Sequence, residues 1–363
     1  MIFLKKTIPL AFASLLLLSC QSNNAKKVAQ GSYYTPKYAN GFCIDTVNGK
    51  KILRVYNPFQ SSQQVSYRYA IDSAVQRVVC MSTTHAALLS FIGQAQSMVG
   101  LAGASLAYDS ALRERYAANL LADVGYDTQL NMERVLALQP NVIFAYGISG
   151  EFTSVANKLT ELGLRVVYLG EYTEEHPLGK AEWAVAVASF FGCEAAAVAK
   201  FAQVEREYLQ LKELSETTTE KVKVLLNAPW SEAWFVPGRR GYMATLLHDA
   251  ISESAIALRN RRDSYPLSIE RAYRDAQLAT IWLNPGQAGN LHELKAMHKL
   301  IENIPVFAQG EVYNNNARLN AQGGNDFFES GTVSPHIILK DLIKIMHPDL
   351  LPQHELFYYR KLE

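Results

Sequence analysis

The stretch EAAAVAKFAQVEREYLQLKELSE, residues 194–216, contains neither glycine nor proline and consists largely of strong helix formers. It predicts one uninterrupted helix over residues 194–216. At a rise of 1.5 Å per residue, such a helix reaches roughly 30 Å, about the diameter of a small domain. Because a single long helix is a stiff connection, we expect a separate folded lobe on each side of it.

Short apolar strands alternate with helical segments on both sides of this helix. RVVCM (77–81), NVIFAYG (141–147) and LRVVYLG (164–170) precede it, and KVKVLLNAP (221–229) and LATIWLNPG (278–286) follow it. Such alternation indicates parallel βαβ units. The predicted fold is therefore α/β, with two Rossmann-like lobes of mostly parallel sheets joined by one long α-helix. Asn48-Gly49, between two β-rich stretches, adds a predicted N-terminal β-hairpin over residues 42–59.

The N-terminus has the pattern of an export signal. Lys5 and Lys6 precede an apolar run that ends in Leu-Leu-Ser-Cys at Cys20. This ending resembles the lipobox of bacterial lipoproteins, which are cut before the cysteine that carries the lipid; a plain secretory signal is the alternative. We expect a lipoprotein signal peptide at 1–19, a tether and hairpin at 20–75, an N-terminal lobe at 76–193, the bridging helix at 194–216 and a C-terminal lobe at 217–363.

One helix start occurs twice. LNMERVLALQP (130–140) and LSIERA (267–272) both present a capping residue, an aliphatic residue, Glu and Arg in that order. A carboxylate in the first turn is stabilised by the free N–H groups and the helix dipole, by about 0.3–1 kcal/mol. That explains Glu133 or Glu270 alone, but not a matched pair in two lobes. Two acidic tips would form a two-point docking surface for a basic partner.

These motifs, together with FFESGTVSPHIILKDLIKI (327–345), resemble the helix-linked (class III) periplasmic substrate-binding proteins of ABC importers. The resemblance runs from about Arg77 to the end, and its closest branch takes up cobalamin, ferric siderophores and haem. It implies a monomer without intrinsic cofactor or catalysis, lipid-anchored on the periplasmic or cell-surface side of a bacterial membrane. The transported ligand would be a metal chelate, and Glu133 and Glu270 match glutamates that pair with arginines of the permease transmembrane subunits.

The ligand site is predicted beyond the carboxyl ends of the strands, where open α/β sheets bind ligands. Aromatic rings there suit a large flat chelate, and arginines suit its acidic groups. For each residue, packing in the core or a solvated loop is the alternative. The predicted ligand-binding residues are Tyr108, Tyr126, Tyr146, Trp230, Trp234, Arg239, Arg240, Arg262 and Tyr265.

Tyr126 has a more specific prediction. In haem-carrying members of the resembled family, a Gly-Tyr pair four residues ahead of the leucine of the docking helix supplies a tyrosine that ligates iron. Gly125-Tyr126 stands at that spacing from Leu130, so Tyr126 is the candidate iron ligand if the ligand is haem. The sequence departs from the haem pattern at Thr128, where the family usually has arginine. We otherwise expect no metal site of protein origin.

Composition and motifs exclude several other classes. A net charge of +1 gives no reason to expect nucleic acid as a partner. The chain has no G-x-S-x-G, no P-loop and no G-x-G-x-x-G after a strand. His292 and His298 are six residues apart, which does not place them on one helix face. An enzyme on the same scaffold, a zinc- or manganese-binding relative, and a lipoprotein that passes substrates to an outer-membrane receptor remain as alternatives.

Overall fold

The structure, a computed structural model, describes residues 30–57, 65–72, 75–126, 129–147 and 153–363. The predicted signal peptide at 1–19 and the predicted lipidation site Cys20 lie outside the described residues. The three cysteines within them, Cys43, Cys80 and Cys193, are free thiols. No helix of the described residues is long and apolar enough to span a membrane.

An antiparallel sheet covers one side of the first lobe and contains the predicted hairpin. Asn48 and Gly49 have φ of 52° and 76°, as the tight turn between its central strands requires. The sheet is wider than predicted, because a further strand pairs on each side of the hairpin. Phe42, Ile44 and Leu53 face inward and join the hydrophobic core of the first lobe. Its described strands, in sheet order, are β1 (Gln30–Tyr34), β2 (Phe42–Val47), β3 (Lys50–Tyr56) and β4 (Val65–Ile71).

The first lobe is built on a parallel sheet whose described strands have the order β7-β6-β5-β8-β9. The strands are short and apolar, as the sequence predicts for strands covered on both faces. The strands are β5 (Val78–Cys80), β6 (Met98–Leu101), β7 (Ala122–Asp123), β8 (Val142–Ala145) and β9 (Val166–Tyr168). The helices are α1 (Thr83–Phe91), α2 (Ser110–Ala117), α3 (Met132–Ala137), α4 (Thr153–Glu161) and α5 (Pro177–Ser189).

The long connecting helix is present as α6 (Glu194–Ser215), 22 residues without a break. It packs along α5 of the first lobe and along the last helix of the second. Phe201, Val204 and Tyr208 are buried on its inner side and belong to the second hydrophobic cluster. The predicted rigid connection is therefore braced by both lobes.

The second lobe repeats the parallel architecture. Its described main sheet has the order β13-β10-β15-β16-β17, in which only β17 is antiparallel. A small antiparallel sheet, β11-β12-β14, is an addition that the sequence did not predict. The strands are β10 (Val222–Leu226), β11 (Pro229–Trp230), β12 (Ala233–Val236), β13 (Ser252–Ser254), β14 (Tyr265–Leu267), β15 (Ile281–Leu283), β16 (Val312–Asn314) and β17 (Arg360–Lys361). The helices are α7 (Tyr242–Asp249), α8 (Ile269–Ala276), α9 (Leu291–Met297), α10 (Pro305–Ala308) and α11 (Pro335–Met346).

The two main sheets share a central arrangement. In each, the first strand, β5 or β10, lies between the next strand of the same sheet, β6 or β13, and a later strand, β8 or β15. The helices that carry Glu133 and Glu270 precede that later strand, β8 or β15, in both lobes. The predicted α/β fold with two Rossmann-like lobes and a connecting helix is thus confirmed, and the repeated helix start has one structural position.

Candidate functional site: the cleft between the lobes

The carboxyl ends of the two parallel sheets face each other. Asn320, beyond β16, donates its side-chain N–H groups to the carbonyls of Ser105 and Ala107, beyond β6, at 3.0 and 2.9 Å. Next to it, a Cβ at Gly324 would lie 1.8 Å from the Leu106 carbonyl oxygen, so only glycine permits this approach. The cleft between the lobes therefore lies at the edge where open α/β sheets bind ligands.

A buried carboxylate joins the lobes on one flank of the cleft. Glu329, which precedes α11, accepts the backbone N–H groups of Tyr108 and Asp109 at 2.7 and 2.8 Å. Burial raises the pKa of Glu329 to about 7; the neighbouring Asp326 and Asp109 carboxylates add to the rise, against the two backbone hydrogen bonds. This contact is called the amide clamp below.

A second carboxylate joins the lobes on the other flank. Glu175, ahead of α5, accepts Arg240 Nη2 at 2.7 Å and Arg262 Nε at 2.8 Å on the same oxygen, Oε1. Although burial works to raise it, the hydrogen bonds from these two arginines hold the pKa of Glu175 below its usual value. Thr245 on α7 also donates to the Glu175 carbonyl at 3.1 Å. This contact is called the guanidinium latch below.

A cavity of about 610 Å³ lies between the lobes beside the amide clamp, a size within the range of small-molecule sites. The Tyr108 ring forms part of its wall, with the Arg318 guanidinium 4.8 Å and that of Arg113 5.8 Å from the ring centroid. Arg318 Nε also donates to Asp326 at 2.6 Å. The wall is therefore aromatic and cationic, with acidic groups behind it. The lining residues are Ala87, Ser90, Phe91, Tyr108, Asp109, Ser110, Arg113, Arg318, Asp326, Glu329, Ser330, Val333, Ser334, Ile337, Phe357 and Tyr358.

The structure distributes the other predicted ligand residues unevenly. Trp230 is 70% exposed at the tip of the β11–β12 hairpin, directly after β10. Arg239 is exposed in the loop after β12. Tyr126 is exposed after β7, and Tyr146 is half-buried after β8. Of the predicted ligand residues, Tyr108 lines the cavity. Arg240 and Arg262 are engaged by Glu175 in the guanidinium latch.

Two predicted ligand residues are core residues instead. Trp234 is 1% exposed, donates its indole N–H to the Leu226 carbonyl and stacks on Trp282. Tyr265 is buried, and its hydroxyl is held between the Arg259 amide and the Ala257 carbonyl. The prediction was wrong for both, because each lies on the inward face of the small sheet, packed on the third hydrophobic cluster.

Glu133 and Glu270 have matching local geometry. Asn131 accepts the Arg134 N–H at 2.9 Å and Ser268 accepts the Arg271 N–H at 3.3 Å, so each cap binds the third helical residue. Each glutamate is then the second residue of its helix, and both are exposed. The two helix starts are therefore alike in capping, in the position of the glutamate and in its exposure.

Among the described residues, no group of three or more His, Cys, Asp or Glu side chains is arranged to hold a metal ion. The model of the periplasmic binding protein family matches residues 78–319, which includes most of both lobes and the connecting helix. The chain belongs to this family.

Relatives and solved structures agree with the assignment of this chain to the periplasmic binding protein family. An uncharacterized lipoprotein of Methanocaldococcus jannaschii is 25% identical over 80% of this chain and 70% of its own length. A periplasmic heme binding protein from Pseudomonas aeruginosa superimposes with a TM-score of 0.55 at 19% identity, over 76% of this chain and 93% of its own. An ABC transporter substrate-binding protein from Listeria monocytogenes has a TM-score of 0.55 at 14% identity, over 75% of this chain and 99% of its own. At these identities the solved structures show a common fold.

Sequence reasoning missed the residues that join the lobes of this binding protein. Glu329 lies in a motif that the resemblance used, and Glu175 lies in an acidic pair before the proline that starts α5. Asn320 lies in a loop without any regular pattern. No sequence signal identifies their partners, which are 65 to more than 200 residues away along the chain.

Proposed function

We propose that this periplasmic binding protein is the substrate-binding lipoprotein of an ABC importer. It captures an iron chelate, namely a ferric siderophore or haem, or else cobalamin, and delivers it to the transmembrane permease. It binds its ligand without catalysing a reaction. The observation that carries the proposal is the cavity of about 610 Å³ between the facing lobes of a chain that belongs to the periplasmic binding protein family.

The character of the cleft supports a large, partly aromatic ligand. Tyr108 with Arg113 and Arg318 offers a flat ring flanked by two cations, and the exposed indole of Trp230 is available beyond β10. A large exposed aromatic ring loses hydration favourably when a flat ligand covers it. We propose Tyr108, Tyr126, Tyr146, Trp230 and Arg239 as ligand contacts, with Tyr126 ligating iron if the ligand is haem. The solved relative from Pseudomonas aeruginosa is itself named a heme binding protein.

The location proposed is the outer side of a bacterial membrane, with the lipid on Cys20. The Methanocaldococcus jannaschii relatives are named lipoproteins, which supports an extracytoplasmic position. The tether that follows Cys20 would let the lobes reach a permease in the same membrane.

The binding function is tested by titrating the purified mature chain with haem, cobalamin and ferric siderophores in turn while recording absorption spectra. We expect one of these chelates to bind saturably, with a Kd of about 1 μM or tighter, and to be recovered unchanged. Failure of all three chelates to bind would remove the proposed function. Chemical conversion of the bound chelate would instead make the protein an enzyme.

The docking role of Glu133 and Glu270 predicts a separate loss. Glu133→Arg or Glu270→Arg places a like charge opposite the proposed permease arginines, so stimulation of the transporter ATPase should fall at least about tenfold. Chelate affinity should stay unchanged, because neither residue lines the cavity. Glu213→Arg, at an exposed position on α6, is the matched control and should stimulate normally. Full stimulation by both docking variants would contradict this role.

A further inference from the structure

Lys180 places a cation where the two lobes meet. It lies in the first turn of α5, and its ammonium is 4.5 Å from the ring centroid of Tyr242, at the start of α7 in the second lobe. The side chain is half-buried, so part of it stays accessible. A ring at this distance attracts a cation by about 0.5–2 kcal/mol, which holds the ammonium between the lobes.

This ammonium lacks a proper counter-ion. Within the described chain, no acceptor lies within hydrogen-bond distance of Lys180 Nζ and no carboxylate forms an ion pair with it. Burial lowers the pKa of Lys180, and the attraction of Glu171 opposes this only in part. Glu171 itself is committed elsewhere, since its Oε1 accepts the Thr84 hydroxyl at 2.7 Å. Because the side chain is only half-buried, the ammonium is accessible to a ligand from the cleft and can donate a charge-assisted hydrogen bond to an anion.

Buried polar groups lie near the same contact. Glu171 Oε2 on the first lobe is buried without a hydrogen-bond partner, and Asn284 Oδ1 and the Tyr359 hydroxyl on the second are buried polar neighbours of each other. Tyr359 is an electrostatic neighbour of Tyr242, and its predecessor Tyr358 lines the cavity. Asn284 also has a left-handed φ of 58° directly after β15, a conformation often found at functional sites. Native proteins leave few buried polar atoms unpaired, so this cluster is suited to receive polar groups from outside.

We propose that Lys180 is an anion subsite of the interlobe cleft, which binds an acidic oxygen of the transported chelate. The ligand class is then a chelate with at least one free carboxylate or equally acidic oxygen, rather than a neutral one. A donor group of the same ligand, or the water it carries, would satisfy Glu171 Oε2. This subsite rests on the proposed function for its ligand, but not for its ability to bind an anion.

A charge-assisted hydrogen bond to one carboxylate corresponds to roughly a tenfold to hundredfold gain in affinity. Haem and its dimethyl ester differ only in the two carboxylates, and so they measure this gain directly. The wild-type protein should prefer haem by that factor. Lys180→Met should reduce the preference to about threefold or less, while Lys180→Arg should keep most of it. An unchanged preference in Lys180→Met would overturn the proposal.

An anion probe tests the subsite independently of the chelate. Crystals of the wild-type chain soaked in sodium bromide should show an anomalous peak beside Lys180 Nζ. Lys180→Arg should keep the peak and Lys180→Met should lose it, whereas Lys340→Met, at a half-buried lysine on α11, should leave it in place. Absence of the peak from the wild type would overturn the subsite. A peak without binding of any chelate would instead retain the subsite and remove the proposed function.

Discussion

The two flanks of the cleft use the same chemical group in opposite environments. In the amide clamp, the Glu329 carboxylate is buried and meets two neutral backbone N–H groups of the first lobe. In the guanidinium latch, the Glu175 carboxylate is only half-buried and meets two cations of the second lobe. The pKa of Glu329 is raised to about 7, whereas that of Glu175 is lowered.

The different partners and pKa directions of Glu329 and Glu175 show which interaction stabilises each flank. Neutral donors do not offset the burial of a charge in full, so the clamp depends on the protonation state of Glu329. Guanidinium groups do offset the cost of burying the Glu175 carboxylate. Because this site is partly exposed, salt screens the attraction between the carboxylate and the arginines. One flank should therefore respond to pH and the other to ionic strength, although both close the same cleft.

The largest expected effect is the pH dependence of the clamp. Because the pKa of Glu329 rises from 4.5 in the unfolded chain to about 7, the folded protein binds more protons between these values. Its contribution to the free energy of unfolding is fully present below pH 4.5 and is lost as the pH rises through about 7, by roughly 3 kcal/mol. Chemical denaturation at a series of pH values measures the free energy of unfolding.

Glu329→Gln is the matched variant for this effect, since it cannot titrate. The difference in free energy of unfolding between wild type and variant should change over pH 4.5 to 7. Burial lowers the pKa of His85, His176 and His336, so these histidines change stability in the opposite sense, but equally in both proteins. Parallel pH profiles would show that Glu329 does not titrate in this window.

A smaller effect is expected at the latch. Glu175→Ala removes the shared partner of Arg240 and Arg262, both of which keep access to water. The free energy of unfolding should therefore fall by about 1 kcal/mol or less. Most of that loss should vanish at 1 M salt, where the Debye length is about 3 Å. Denaturation at low and high salt measures it.

Glu302→Ala is the control, because Glu302 pairs with Lys295 at the surface of one lobe. Glu302→Ala should lower the free energy of unfolding less than Glu175→Ala does at low salt, because Glu302 pairs with a single exposed lysine. Equal losses in the two variants would mean that the latch stabilises the protein no more than an ordinary surface ion pair does.

Several features were predictable because their signals are local. The helix α6 follows from a run of strong helix formers, and the β2–β3 turn follows from Asn48-Gly49, whose positive φ values the structure confirms. The caps Asn131 and Ser268 bind the helix N–H groups as their spacing predicts. Each of these depends on residues a few positions apart, so the chain itself contains the whole interaction.

The faces of the small sheet were not predictable. Trp230 and Trp234 are four residues apart in one loop-like stretch, yet one is exposed and the other is core. The alternation of the β12 strand, in which Trp234 and Val236 turn inward, is decided by pairing with β14 and by packing on Trp282. From the sequence alone, Trp230 and Trp234 were both predicted to contact the ligand.

The sequence by itself determined the two α/β lobes, the stiff helix between them and the matched positions of Glu133 and Glu270. These depend on hydrophobic period, helix propensity and capping, which act over a few residues. Only the tertiary structure decided that Glu329 and Glu175 close the two flanks and that Lys180 is left without a counter-ion between them. The interaction energy of a charged group between the lobes depends on partners that folding brings close. No local sequence pattern specifies what those partners are.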